Sequence, residues 1–477
     1  FLAVRLTGRT ATFLLAPLML FLRSSTAFFT NLYDLIKTTG IQPRAWGAIL
    51  DALVSRSSFI GNTPRDEWGL WGVNVYANQR HLLSGLSLLL IVLLLLLPDL
   101  QAGTGVSIRQ RWFRAEGWLI RDPKDRRRFY LAAAICALLP YWHGSALISL
   151  LLVLLPISLL AVNRLGFLLV AASAFLSALL QSWIFSGQAT RVIQPSLFFG
   201  FIASDRSPVG ALAYLLLMTG IALPLLAVAF WLPGRRRKIL IVSFMIPLVF
   251  AFTISLTPDV TVNHKFIMTA LALANIYLAD LLVRLWTGFR RSRRLHTPGT
   301  DNGTTETTTG RSRLPSRILA IVLAFLLMAT GLHECRIVRN INQNSVSIDL
   351  DSPLVLWIRA NTRPHDIFVS APYHYNAFFL SGRAIWFGHS YYAWSAGHDT
   401  TQRFELLRQL LAGENGDLPA VRELIQAEQL DYLIIDDTLR AIDDLAVDET
   451  FFSDHFRIAV SFPSLGNMKI YDLNSSP

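Results

Sequence analysis

The side chains able to do chemistry in this chain gather in short polar stretches between apolar runs. The first stretch ends in Arg80-His81, after Asn74-Val75-Tyr76-Ala77-Asn78-Gln79. A planar guanidinium there suits two parallel hydrogen bonds to a phosphate. The second is Pro140-Tyr141-Trp142-His143-Gly144, an imidazole placed to titrate or to donate to a substrate hydroxyl. The third, Pro258-Asp259-Val260-Thr261-Val262-Asn263-His264-Lys265, brings a carboxylate, an amide, an imidazole and an ammonium to the mouth of an apolar run. The fourth lies in the C-terminal region: Tyr373-His374-Tyr375-Asn376, Ser381-Gly382-Arg383, Phe387-Gly388-His389 and Gly397-His398-Asp399, with Arg403. Aromatic faces flanked by donors and acceptors match carbohydrate. An adjacent acidic pair, Asp66-Glu67, adds two carboxylates that could serve catalysis.

Each stretch also has a plainer reading, and both stay open. Arg80 and His81 can snorkel to lipid headgroups. Tyr141 and Trp142 fit an interfacial aromatic belt. Asp66-Glu67 fits a surface turn, and the C-terminal histidines fit a folded loop that docks the tail onto the bundle. A metal on His389, His398 and Asp399 has no helical spacing to support it, so the metal question stays unknown.

The apolar runs must position these groups. Leu82–Leu97 contains sixteen residues without a charge, close to the roughly 20 that cross a bilayer. In lipid such runs are helical, because each backbone must satisfy its own hydrogen bonds. Spans are expected at about 10–29, 82–98, 130–141, 145–162, 166–185, 209–232, 239–256, 266–284 and 318–333. The 477 residues carry 43 Lys and Arg against 32 Asp and Glu, a net charge of +11. The excess sits in 109–128, 235–238 and 284–294, each abutting a span, so the basicity reads as positive-inside topology and not as nucleic-acid binding. Placing these clusters inside puts 30–81, the turn at 141–144, 186–207 and 257–265 outside, together with the tail from His333 onward. The span at 130–141 is the weak one, too short to cross without help from its interfacial neighbours. The first apolar run is short and interrupted by Pro17, so the chain reads as a fragment lacking an earlier part of its membrane domain. Two cysteines, Cys136 and Cys335, offer neither a disulfide framework nor a thiolate metal site.

Four segments follow: a multi-span domain over 1–296, a flexible cytoplasmic linker over 297–317, a last transmembrane helix and connector over 318–348, and a soluble α/β domain over 349–477. The linker holds the low-complexity TPGTDNGTTETTTG, with no apolar periodicity to fold it. In the last segment strands are expected at 366–371, 430–436, 456–462 and 468–473, with helices at 400–412 and 419–429. The expected class is a polytopic α-helical membrane protein of about nine spans with a C-terminal extracytoplasmic α/β domain.

No Walker loop, dinucleotide fingerprint or GxSxG is present, so nucleotide-driven transport and serine hydrolysis have no support. The spans with polar outer loops, Asn263-His264-Lys265-Phe266 and the C-terminal domain together resemble the polyprenyl-phosphate-sugar-dependent membrane glycosyltransferases of the GT-C superfamily, bacterial mannosyltransferase-like members among them. The tail carries much of this resemblance: Trp357-Ile358-Arg359-Ala360-Asn361-Thr362, Ser381-Gly382-Arg383, Phe387-Gly388, Gly397-His398-Asp399, and Leu430-Asp431-Tyr432-Leu433-Ile434-Ile435. The resemblance covers most of the chain through loose patterns. It implies an enzyme of the bacterial plasma membrane, with an endoplasmic-reticulum location as the other option. Such an enzyme moves a sugar from a polyprenyl-phosphate donor to a glycan, lipid or protein acceptor on the outer face, with a divalent metal as a candidate cofactor. On that reading Asp66 or Glu67 supplies the base unless it lies upstream of Phe1. Arg80, His81, His264 and Lys265 meet the donor phosphate, and His143, His374, Arg383, His398 and Asp399 meet acceptor or sugar. The competing class is a non-catalytic membrane protein that binds cell-wall polymer or a partner, or a flippase for lipid-linked sugars.

Overall fold

A computed structural model describes residues 1–22, 25–40, 42, 45–56, 60, 79–102, 112–113, 115–186, 195–288, 314–338, 348–372, 377–395 and 398–477. Asp66, Glu67, His374 and the low-complexity linker lie outside the described residues. The chain divides into two compact units: Phe1–Gln188, Pro195–Leu256 and Val260–Gln343 form one, and Ala189–Gln194, Thr257–Asp259 and Asn344–Pro477 the other.

The first unit is a helical membrane bundle built around His264–Thr287, whose candidate span is 94% buried. A helix hydrophobic on all faces is a core helix. Ala270, Ala274 and Ala279 on it are almost inaccessible, since small side chains let neighbouring helices approach closely. Around it pack Thr12–Phe21, Gly144–Leu160, Ala222–Trp231, Arg235–Ala251 and Leu314–Val338.

Nine straight spans do not result. Among the described residues four helices are long and apolar enough to cross a membrane, His81–Asp99, Arg164–Phe185, Val260–Thr287 and Leu314–Arg336, or five if a bent pair counts as one. That pair, Pro208–Thr219 and Ala222–Trp231, replaces the span expected at 209–232 and turns by 95°. Gly220 allows the break by adopting φ 56°, where a side chain is rarely tolerated. The span expected at 10–29 divides into Thr12–Phe21 and Ala27–Thr39, and a further helix, Ala45–Ser55, occupies what reads in sequence as loop. The helix at 130–141 begins much earlier, at Pro123, where Asp122 accepts from the Lys124 amide and proline fits the first turn. Its first turns carry Lys124 and Arg126–Arg128, so helix and apolar stretch do not coincide.

Buried carboxylates tie the bundle together. Asp280, 1% exposed, takes Arg9 at 3.1 Å, Arg237 at 2.9 Å and Arg284 at 2.8 Å. The local Asp280–Arg284 pair legible in sequence is thus one third of an ion cluster that joins two helices and the turn after Leu2–Thr7. Asp99 similarly receives Arg128 at 2.9 Å and Asn163 at 2.6 Å.

The second unit carries a five-stranded mixed sheet. With β1 (Ser196–Leu197) and β2 (Ile254–Ser255) forming a separate antiparallel pair in the bundle unit, the sheet strands are β3 (Ile367–Val369), β4 (Ala384–Ile385), β5 (Tyr432–Ile435), β6 (Arg457–Phe462) and β7 (Met468–Asp472). Their order is β4-β3-β5-β7-β6, parallel through β4, β3 and β5 and antiparallel thereafter. Helices Thr401–Leu411 and Leu418–Ala427 stand close to their expected positions. Leu407, Leu410, Val421, Leu433 and Tyr471 share one buried core.

Candidate functional site

Three helices bring His81, His143 and Lys265 together. His81 is the second residue of Arg80–Ala102, His143 caps Gly144–Leu160, and Lys265 is the second residue of the central helix. The His81 and His143 rings lie 5.0 Å apart between centroids. His143 also holds its helix: its Nδ1 accepts from the Ala146 amide at 3.1 Å, so Nδ1 carries no proton and Nε2 does. Nε2 is buried and has no partner among the described residues. Burial first, then the Lys265 charge and His81, hold the His143 pKa down at about 4, because a charged ring there would be poorly solvated and repelled.

Close approach makes this pairing possible. A Cβ on Gly85 would stand 2.9 Å from the His143 Cβ and 3.0 Å from the Ala146 Cβ. Glycine therefore lets the Arg80–Ala102 helix run against the turn that carries His143. Lys265 is half-buried and makes no ion pair among the described residues. An ammonium beside two imidazoles, without a carboxylate among the described residues, suits an anion.

Arg80 starts the helix that carries His81. The other expected residues fall elsewhere. His264 is 2% exposed and places Nδ1 2.8 Å from the Thr261 carbonyl oxygen, packed into the bundle. Neighbouring Asn263 donates to the Ala251 and Ile254 carbonyls and pins the turn before the central helix. Arg383, expected to face a sugar, donates instead to the Thr362 hydroxyl at 2.9 Å and the Thr362 carbonyl at 2.8 Å. Its guanidinium finishes the helix Pro353–Asn361. His398 and Asp399 do share a groove, of about 700 Å³, with Trp386, His389, Tyr392 and Arg403. Arg403 lies over the Trp386 ring and donates to the Trp386 carbonyl. Among the described residues no three His, Cys, Asp or Glu side chains gather as a metal site.

No protein-family model matches the chain, and no curated protein matches it. Among solved structures the chain is similar to an Archaeoglobus fulgidus oligosaccharyltransferase tethered with an acceptor peptide containing the NVT sequon via a disulfide bond. The TM-score is 0.43 and the identity 9%, over 99% of this chain and 64% of that one. This chain thus spans less than two thirds of that protein's length.

The pairing of His81 with His143 is the part that sequence reading misses. The two residues are 62 positions apart, and the signal that could have found them is Gly85, a glycine inside a helix otherwise rich in leucine.

Proposed function

We propose that this chain is a membrane glycosyltransferase that moves a sugar from a polyprenyl-phosphate donor to an acceptor on the outer face of the membrane. The observation that carries this reading is the Lys265 ammonium beside His81 and His143 at one mouth of the bundle, without a counter-ion among the described residues. In the reaction an acceptor hydroxyl attacks the anomeric carbon. The bond from that carbon to the phosphate oxygen breaks, and its electron pair leaves with the polyprenyl phosphate. Negative charge grows on that oxygen, and fixed cations beside it lower the barrier. Lys265 supplies one, Arg80 is offered as a second, and the Nε2 proton of neutral His143 can donate to the same oxygen. The hydroxyl proton goes to a carboxylate, for which Asp66 and Glu67 are the candidates.

A non-catalytic, glycan-binding role is the second reading, favoured by the aromatic groove around Trp386 and Tyr392. Transfer of radiolabelled sugar from a panel of polyprenyl-phosphate sugars in proteoliposomes separates the two. Lys265→Ala should lower turnover by about 10²-fold, the size seen when a charge-stabilising donor is removed, while the protein still inserts and purifies. Equal turnover would remove Lys265 from the mechanism. A folded protein without product from any donor would favour the binding role.

A further inference from the structure

Fifteen residues beyond Lys265, about 22 Å along the same helix, the bundle presents a second, unrelated feature. A groove of about 340 Å³ runs between Thr12–Phe21, the C-terminal half of the central helix and Leu314–Val338. That volume lies within the roughly 300–1,000 Å³ of ligand pockets. Leu14, Leu18, Trp286, Ile321 and Ala324 line it, and its rim is open, with Leu14 73% and Ile321 58% exposed. At one end two cations touch the residues that line it. Arg9 donates to the Thr287 hydroxyl at 3.4 Å, and Arg317 lies 5.4 Å over the Trp286 ring. Arg9, Arg237 and Arg284 share the carboxylate of Asp280, so among the described residues this end keeps a surplus of positive charge.

We propose that this groove is a binding site for an anionic phospholipid: one acyl chain lies along Leu14, Leu18 and Ile321, and the phosphate meets Arg9 and Arg317 beside Trp286. Charge complementarity selects this occupant. A zwitterionic lipid fills the apolar length equally well but brings no net charge to the arginine surplus. Trp286 is the side chain expected at headgroup depth, its ring amphipathic and partly exposed. The site is independent of the chemistry assigned to Lys265, since it takes a bulk lipid at the basic end of the bundle.

The test uses the full chain reconstituted in phosphatidylcholine vesicles, with spin-labelled phosphatidylglycerol or spin-labelled phosphatidylcholine as probe. The motionally restricted fraction of each probe gives its relative affinity. The wild type should hold phosphatidylglycerol several-fold more strongly. Arg317→Gln should lower that preference by about fivefold, since one interfacial arginine contributes about that factor. Ala324→Phe, which fills the groove without touching a charge, should release both probes. Arg235→Gln, on an exposed arginine elsewhere at the same end, should leave the preference as it was. Equal retention of the two probes by the wild type overturns the proposal without recourse to any variant. An equal fall in Arg317→Gln and Arg235→Gln also overturns it, because the preference would then come from diffuse surface charge.

Discussion

Replacing Asp280 with asparagine tests the logic that holds the bundle together. The carboxylate is 1% exposed, and its three guanidinium partners keep 25% (Arg9), 11% (Arg237) and 23% (Arg284) of their side chains accessible. Asp280→Asn preserves shape but leaves three cations facing each other in a poorly solvated place. Removing one partner from a buried pair costs about 3–5 kcal/mol, and the mutual repulsion of three arginines puts this variant at the upper end. Arg284→Gln is different in kind: it removes one cation of three, and Asp280 keeps Arg9 and Arg237. Its cost should stay near 1 kcal/mol, the scale of a partly exposed ion pair. The assay is the rate of irreversible thermal inactivation of the full chain in detergent micelles, read as loss of monodisperse protein. Asp280→Asn should shorten the half-life by two orders of magnitude or more and Arg284→Gln by less than one. Equal effects of the two substitutions, or a tolerated Asp280→Asn, would refute the claim that this carboxylate neutralises a shared cationic cluster.

Two further outcomes follow from other contacts. Gly85→Val should separate the Arg80–Ala102 helix from the His143 turn, because even a Cβ there stands 2.9 Å from the His143 Cβ. Overpacking of this kind costs about 1–3 kcal/mol; thermal inactivation and sugar transfer should both suffer, and wild-type values for both would disprove the close approach. In the C-terminal unit the Arg440 hydrogen bond, then that of Lys469, holds the Glu449 pKa below its ordinary value. A carboxylate with a depressed folded-state pKa contributes stability that is whole above the unfolded value of about 4.3 and is lost as pH falls through the folded one. The wild type should therefore lose stability on acidification below about pH 4.3 more steeply than Glu449→Gln, as followed by hydrogen exchange in β7, and parallel profiles would exclude the network.

Several features of this protein are settled by local pattern. Charge-free runs such as Leu82–Leu97 have one stable solution in lipid, so the helices and the membrane setting follow from composition and spacing. The change to strand-length apolar runs after Asp349 likewise marks the α/β unit, and β5, β6 and β7 lie within one or two residues of their expected bounds. Strand β4 is only Ala384–Ile385, too short to leave a period, and its place at the sheet edge comes from pairing with β3. Hydropathy could not show that the stretch at 209–232 turns by 95°, since a broken helix and a straight one bury the same residue types. Nor could it show which polar residues meet. Asp280 next to Arg284 reads as a local pair, yet Arg9 arrives from the turn after Leu2–Thr7 and Arg237 from another helix. Arg383 reads as a ligand-binding cation and is spent on Thr362. His81 and His143 become neighbours because Gly85 lets two helices touch. Hydrogen-bonding capacity and apolar period are properties of single segments and are written in the sequence. Which segment supplies the partner depends on helix packing, and tertiary structure alone decides that.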